Sequence, residues 1–191
     1  MNRIFALVLT IIISPLLPVI FSFIYFFIDK KIFFSQKRVG LNGKIFTCFK
    51  FASMTNNSKE LGDKSADLET HRINNIGNFL RSNFIDELPQ LINIILGQMN
   101  FIGPRPHSVY EDLKFVKRIT GYKKRYTIKP GITGYAQVNG YNGPIKNINQ
   151  LKKRIAYDIV YINNMSFLLN LKIFFLTLYI LIKKLFNVNG K

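Results

Sequence analysis

Scarcity marks this 191-residue chain: one cysteine, two histidines and ten acidic residues stand against 27 lysines and arginines. The lone Cys48 excludes an internal disulfide framework and fits a reducing compartment. His71 and His107 have no metal-ligand spacing and Cys48 has no CxxC partner, so no zinc-type site is encoded. There is no Walker loop, no GxGxxG and no GxSxG. Zinc-finger, RNP and helix-turn-helix signatures are missing too, as is any repeat with a period of about 20–50 residues. Disorder is excluded by a hydrophobic fraction of 48%, and the length suits one domain with a tail. The shortage of acids leaves a formal charge of +17. Such a chain is drawn to phosphate in some form: nucleic acid, anionic lipid or a phosphorylated substrate.

From Ile4 to Ile28 run 25 residues without a charge, bounded by Arg3 and by Asp29-Lys30-Lys31. As a straight helix this run is roughly 37 Å long, against about 30 Å for a bilayer core. It exceeds the apolar core of a secretory signal and no A-x-A-like site follows. Pro15 and Pro18 interrupt it, and each removes a helical hydrogen bond. The Ser14 hydroxyl beside the break can bond a freed carbonyl. Two geometries satisfy these facts: a kinked spanning helix, or a re-entrant helix–break–helix. Basic residues flank both ends, and the larger cluster, Lys30, Lys31, Lys37 and Arg38, places the remaining chain in the cytoplasm.

Near the other end, Met165 to Phe186 is apolar but interrupted by Asn170, Lys172, Lys183 and Lys184. Its uncharged stretch, Ile173 to Ile182, is 10 residues long and too short to span. It suits either an interface with snorkelling lysines or a core. Residues 113–191 hold 15 bases and a single acid, Asp158, so +14 of the +17 lies there. That half is attracted to an anionic leaflet, at about 1 kcal/mol per near-surface base.

Between these ends, Phe33 to Met54 reads as a short hairpin turning at Gly40 and Asn42-Gly43. Asn56 to Thr70 is polar, holds four of the ten acids, and reads as a mobile loop. Apolar spacing predicts helices over Ile73–Ser82, Asp86–Leu96, Leu113–Lys124 and Gln150–Asn163. The expected architecture is α+β: a small, mostly helical, membrane-associated domain with a hairpin. Residues 1–31 form the membrane segment and 32–191 the cytoplasmic part.

Asp86 and Glu87 are adjacent, and are the only acids between His71 and Tyr110. Pro89 suits a first helical turn, so the pair can be read as helix capping through the macrodipole. The functional alternative is a carboxylate pair holding a hard cation and supplying a nucleophile. Mg²⁺ suits that role, since it takes one or two carboxylates plus substrate phosphates. In Gly103-Pro104-Arg105-Pro106 the prolines restrict their neighbours, so Arg105 is either a preorganised fork for phosphate or an exposed arginine in a rigid loop. With 19 lysines and eight arginines in the chain, an arginine at that place favours the fork. Lys129-Pro130-Gly131-Ile132-Thr133-Gly134 reads as a type II turn with Gly131 at positive φ.

Together these stretches resemble the bacterial sugar transferase family, the monotopic polyprenyl-phosphate phosphoglycosyl transferases, in its minimal single-domain form. The likeness runs in order along nearly the whole chain. It takes in Ser14-Pro15, Phe33-Phe-Ser-Gln36-Lys-Arg38-Val-Gly40, Lys50-Phe-Ala-Ser-Met54 and Asp86-Glu87-Leu-Pro-Gln90. It continues through Gly103-Pro-Arg-Pro106, Lys129-Pro-Gly-Ile-Thr-Gly134, Ala136-Gln-Val-Asn-Gly140 and Tyr157-Asp158-Ile-Val-Tyr161. The resemblance implies transfer of a phosphosugar from a UDP-sugar to polyprenyl phosphate with Mg²⁺, at the cytoplasmic face of the bacterial inner membrane. It implies Asp86 as nucleophile and Glu87, beside Asp86, as the Mg²⁺ holder. It implies Arg105, with Arg38, Lys50, Arg81, Lys129, Gln137 and Asp158, as groups for phosphate or nucleotide sugar. It also makes Ser14-Pro15 the break of a re-entrant helix.

Three stretches depart from the family pattern: Ala52 and Tyr141 stand where arginine is usual, and Asn74-Asn75 where Thr-Arg is usual, so three basic side chains are absent. Two rival readings follow, a catalytically decayed nucleotide-sugar binding protein and a membrane-tethered nucleic-acid binder, the latter disfavoured by the long apolar run. The expected partners are therefore UDP-sugar, polyprenyl phosphate and anionic lipid, and no nucleic acid; a homodimer is compatible with the sequence.

Overall fold

The computed structural model describes residues 2–54, 73–143, 145 and 147–186; the loop expected over 56–70 lies outside them. The apolar run forms α1 (Asn2–Ile13) and α2 (Leu17–Phe27), joined by a 3₁₀ turn over Ser14–Leu16. The prolines explain the turn. Pro15 lacks the N–H that would reach the Ile11 carbonyl, and the Ser14 hydroxyl donates to it instead at 2.8 Å. Pro18 lacks the N–H that would reach the Ser14 carbonyl, which takes the tighter bond from Leu17. Among the described residues this is the one helix long and apolar enough to cross a bilayer, and only 6% of its most apolar window is buried.

The hairpin forms as expected, from β1 (Phe33–Val39) and β2 (Ile45–Phe51). Asn42 and Gly43 both adopt positive φ, 55° and 71°, the conformation that an Asn-Gly turn makes cheap. Next come α3 (Asn75–Ser82), a 3₁₀ turn over Ile85–Glu87, and α4 (Gln90–Ile95). The single helix expected over Asp86–Leu96 is thus split, because Pro89 takes the cap position of α4.

Two three-residue strands were not anticipated: β3 (Asn100–Ile102) pairs in parallel with β4 (Gly131–Thr133). Gly131 opens β4 and is not among the glycines of positive φ, which corrects the type II turn. What it needs is the absence of a side chain, since a Cβ there would stand 2.2 Å from the Gly103 nitrogen. α5 runs over Val109–Arg118, earlier than expected, because Ser108 and Glu111 build a capping box. It is followed by a 3₁₀ turn over Tyr122–Thr127, α6 (Tyr135–Val138), α7 (Ile148–Asn163) and α8 (Phe167–Phe186).

The chain resolves into two compact units, Met1–Lys37 with Thr47–Gly97, and Arg38–Phe46 with Gln98–Lys191. In the first, Ile24, Ile28, Phe51, Ala52 and Leu80 form the core, with Ile85 and Leu88 packed against it. In the second, Phe115, Tyr122, Leu151 and Ile155 do so. On α8, Ile173 is fully buried while Phe167, Leu168, Tyr179 and Phe186 are exposed.

Candidate active site

In the first unit the 3₁₀ turn sets the geometry. Positions three apart on such a helix share a face, so Ile85 and Leu88 face the core together and leave Asp86 and Glu87 to other faces. Both carboxylates are nonetheless buried, at 6% and 5% exposure. Lys50 of β2 answers them: its Nζ lies 2.8 Å from Glu87 Oε1 and 3.9 Å from Asp86 Oδ2. Asn93 of α4, itself fully buried, fixes the strand that carries Lys50. Its Nδ2 donates to the Thr47 carbonyl at 2.7 Å, and its Oδ1 accepts from the Phe49 N–H at 3.1 Å. Phe84, which enters the turn, has φ 58° and ψ 17°. A bulky residue in that region holds strain on the order of 1–3 kcal/mol, directly before the carboxylates.

Arg81 lies in the same unit, on α3, with Nη1 donating to Met54 Sδ at 3.3 Å. The departures from the family pattern have structural work here. Ala52 sits in the core. Asn74 caps α3 by accepting from the Gly77 N–H at 2.8 Å, and its Nδ2 donates to the Phe27 carbonyl.

In the second unit, the charges of Arg125, Arg154, Arg38 and Arg105 all bear on the buried His107. Arg125 is buried and donates through Nε to Asp158 Oδ2 at 2.8 Å, so the Asp158 carboxylate, 2% exposed, faces a guanidinium rather than solvent. Burial opposes the Arg125 charge, but Asp158, Tyr122 and Asp112 outweigh it and hold the guanidinium above its ordinary value. Burial, then Arg105, pulls Arg154 down to about 10. Its Nη2 donates to the Gly143 carbonyl.

His107 is held well below its ordinary range by burial and by those four arginines, so it is neutral at pH 7. The Tyr122 hydroxyl donates to Asp112 Oδ1 at 2.8 Å, and its oxygen lies 2.6 Å from His107 Nδ1. Gln137 anchors by donating to the Ile132 carbonyl at 2.9 Å. Lys129 is partly exposed beside the close approach of Gly103 and Gly131. Tyr141 packs its ring on Tyr157, with centroids 5.2 Å apart.

The structure therefore joins Lys50 to Asp86 and Glu87, and separately gathers Arg38, Arg105 and Asp158. Arg125, Arg154 and Asn93 went unread in the sequence. Each had a faint signal: the two arginines close Lys-Lys-Arg triplets, and Asn93 interrupts an apolar run. Two buried carboxylates offer a hard, all-oxygen donor set that fits Mg²⁺. No group of three or more His, Cys, Asp or Glu able to hold a metal occurs among the described residues.

A buried acid pair answered by lysine and a set of buried arginines accord with the family relationship. The profile of the bacterial sugar transferase family matches residues 1–184, and the chain belongs to that family. It is 42% identical over 172 residues to a UDP-glucose:undecaprenyl-phosphate glucose-1-phosphate transferase of Klebsiella pneumoniae, covering 88% of this chain and 36% of that protein. A protein of the same description from Escherichia coli K12 is 37% identical over 174 residues, covering 91% of this chain and 38% of its own length. The uncharacterized sugar transferase EpsL of Bacillus subtilis is 40% identical over 151 residues, covering 78% of this chain and 69% of its own length. The chain thus spans little more than a third of the length of the first two relatives.

Proposed function

We propose that the chain transfers a phosphosugar from a UDP-sugar to a polyprenyl phosphate, giving a polyprenyl diphosphosugar and UMP. The observation that carries this reading is the buried Asp86–Glu87 pair facing Lys50, in a chain of this family. The relatives described as UDP-glucose:undecaprenyl-phosphate transferases support the substrate class.

In the proposed mechanism an Asp86 carboxylate oxygen attacks the sugar-bearing phosphorus. The bond from that phosphorus to the bridging oxygen breaks and UMP leaves with its electrons. A polyprenyl phosphate oxygen then attacks the same phosphorus, and Asp86 departs as carboxylate. Covalent catalysis divides one difficult displacement into two easier ones. Glu87, with Asp86, would hold Mg²⁺, which supplies charge neutralisation to phosphate oxygens when bound. Lys50 orients Glu87 and offsets the charge of the pair, and Arg105 binds phosphate through its planar fork.

The kinked α1–α2 helix and the exposed apolar residues of α8 support docking on a membrane. We read α1–α2 as re-entrant at Ser14-Pro15, with the remaining chain on the cytoplasmic face. The test uses a UDP-sugar labelled on its sugar. Asp86→Asn is expected to lose both the labelled phosphosugar–enzyme and the lipid product, slowing turnover by roughly 10⁴-fold or more. Full turnover by that variant would remove Asp86 as nucleophile.

A further inference from the structure

We infer that Arg125, held by Asp158, is a positioning residue that fixes the main chain of Arg105; this rests on the reading of Arg105 as a phosphate-binding group. The segment from Pro104 to His107 has every carbonyl engaged. The Pro104 oxygen accepts from the Gly131 N–H at 3.1 Å and the His107 oxygen from the Val39 N–H at 3.1 Å. The other two are held by guanidinium groups. Arg125 Nη2 donates to the Arg105 oxygen at 2.5 Å, and Arg38 Nη1 donates to the Pro106 oxygen. With φ locked at both prolines and all four carbonyls bonded, the root of the Arg105 side chain has little freedom left.

Arg125 has no role towards solvent. It is 6% exposed, and each of its three nitrogens is occupied internally. Nε donates to Asp158, Nη1 lies 3.0 Å from the Tyr122 hydroxyl and from His107 Nδ1, and Nη2 reaches Arg105. A buried Arg–Asp pair is a poor way to stabilise a core, since apolar residues of equal volume are often as good or better. What an apolar pair cannot do is donate to the Arg105 carbonyl. A lysine keeps the charge but lacks the fork that spans Asp158 and Arg105 together.

The test measures UDP affinity of the full chain in detergent with Mg²⁺, together with the thermal midpoint of every variant. Arg105→Ala is expected to weaken UDP binding roughly tenfold or more, the scale of a lost charge-assisted hydrogen bond. Arg125→Lys should weaken it similarly, yet in the Arg105→Ala background the same change should alter affinity by less than about twofold. A double replacement, Arg125→Leu with Asp158→Leu, should keep the midpoint near that of the unaltered chain and still bind UDP as poorly as Arg105→Ala. Multiplying losses in the Arg105→Ala, Arg125→Lys variant would make Arg125 merely structural and overturn the inference. Wild-type affinity in the Leu–Leu variant would overturn it equally. Unimpaired binding by Arg105→Ala is a different result: it overturns the phosphate-binding reading, and the inference with it.

Discussion

Replacing Lys50 with methionine keeps the apolar stem of the side chain and removes a cation that faces both carboxylates of the turn. At an effective dielectric constant of about 20, attractions across 2.8 and 3.9 Å are on the order of 6 and 4 kcal/mol. Desolvation consumes much of that. Stranding one partner of a buried pair costs about 3–5 kcal/mol, whereas exposed pairs contribute about 0–1. The Lys50 side chain is 16% exposed and those of Asp86 and Glu87 are 9% and 6%, which places the site towards the buried end. The expected loss is ~3 kcal/mol, or roughly 6–12 °C in midpoint for a chain of this length. Because the sequence has no tryptophan, unfolding in detergent is best followed by far-UV circular dichroism. Mg²⁺ should return most of the loss, since a cation at about 100 times its dissociation constant contributes about 2.7 kcal/mol. A midpoint within about 1 °C of wild type, or a Lys50→Met protein indifferent to Mg²⁺, would refute the electrostatic account of the turn.

Gly131→Ala should cost about 1–3 kcal/mol or more, because its Cβ would meet the Gly103 nitrogen at 2.2 Å. Gly143→Ala, with nothing within 4 Å, should change stability by less than about 0.5 kcal/mol; equal effects in the two variants would count against the close-approach explanation. His107 is held below its ordinary pKa, so the unfolded chain takes up a proton that the folded one refuses as pH falls below about 6.5. Stability should therefore decline on that acid side and not above it, and His107→Gln should flatten the decline. Identical slopes for the two proteins between about pH 7 and 5 would contradict the buried, neutral imidazole.

What could be read from the sequence was whatever depends on neighbours along the chain. Pro15, Pro18 and Ser14 announced an interrupted helix, and Asn42-Gly43 announced the hairpin turn, because backbone restrictions act within a few residues. Asp86 and Glu87 were visible through the absence of other acids around them. The rest depended on partners distant in sequence. β3 and β4 are too short to show a period of two, and the reason for Gly131 is a backbone near residue 103. Lys123-Lys124-Arg125 and Lys152-Lys153-Arg154 each look like a solvated charge run, yet each buries its arginine and leaves its lysines exposed. The capping box at Ser108 and Glu111 was legible and would have moved the expected start of α5 to its observed place.

Each compact unit is assembled from two stretches of chain, and this orders their completion during synthesis. Every residue of the first unit has been synthesised once Gly97 is made. The hairpin tip, Arg38–Phe46, is made early but belongs to the second unit. Arg38 emerges 68 residues ahead of Pro106, whose carbonyl it holds. At about 5–20 residues per second, that guanidinium waits roughly 3–14 s for its acceptor. Only in the last part of that interval, once Glu87 has followed Lys50, can the carboxylate turn have its lysine, while the segment bearing Arg105 is still unmade or unclamped.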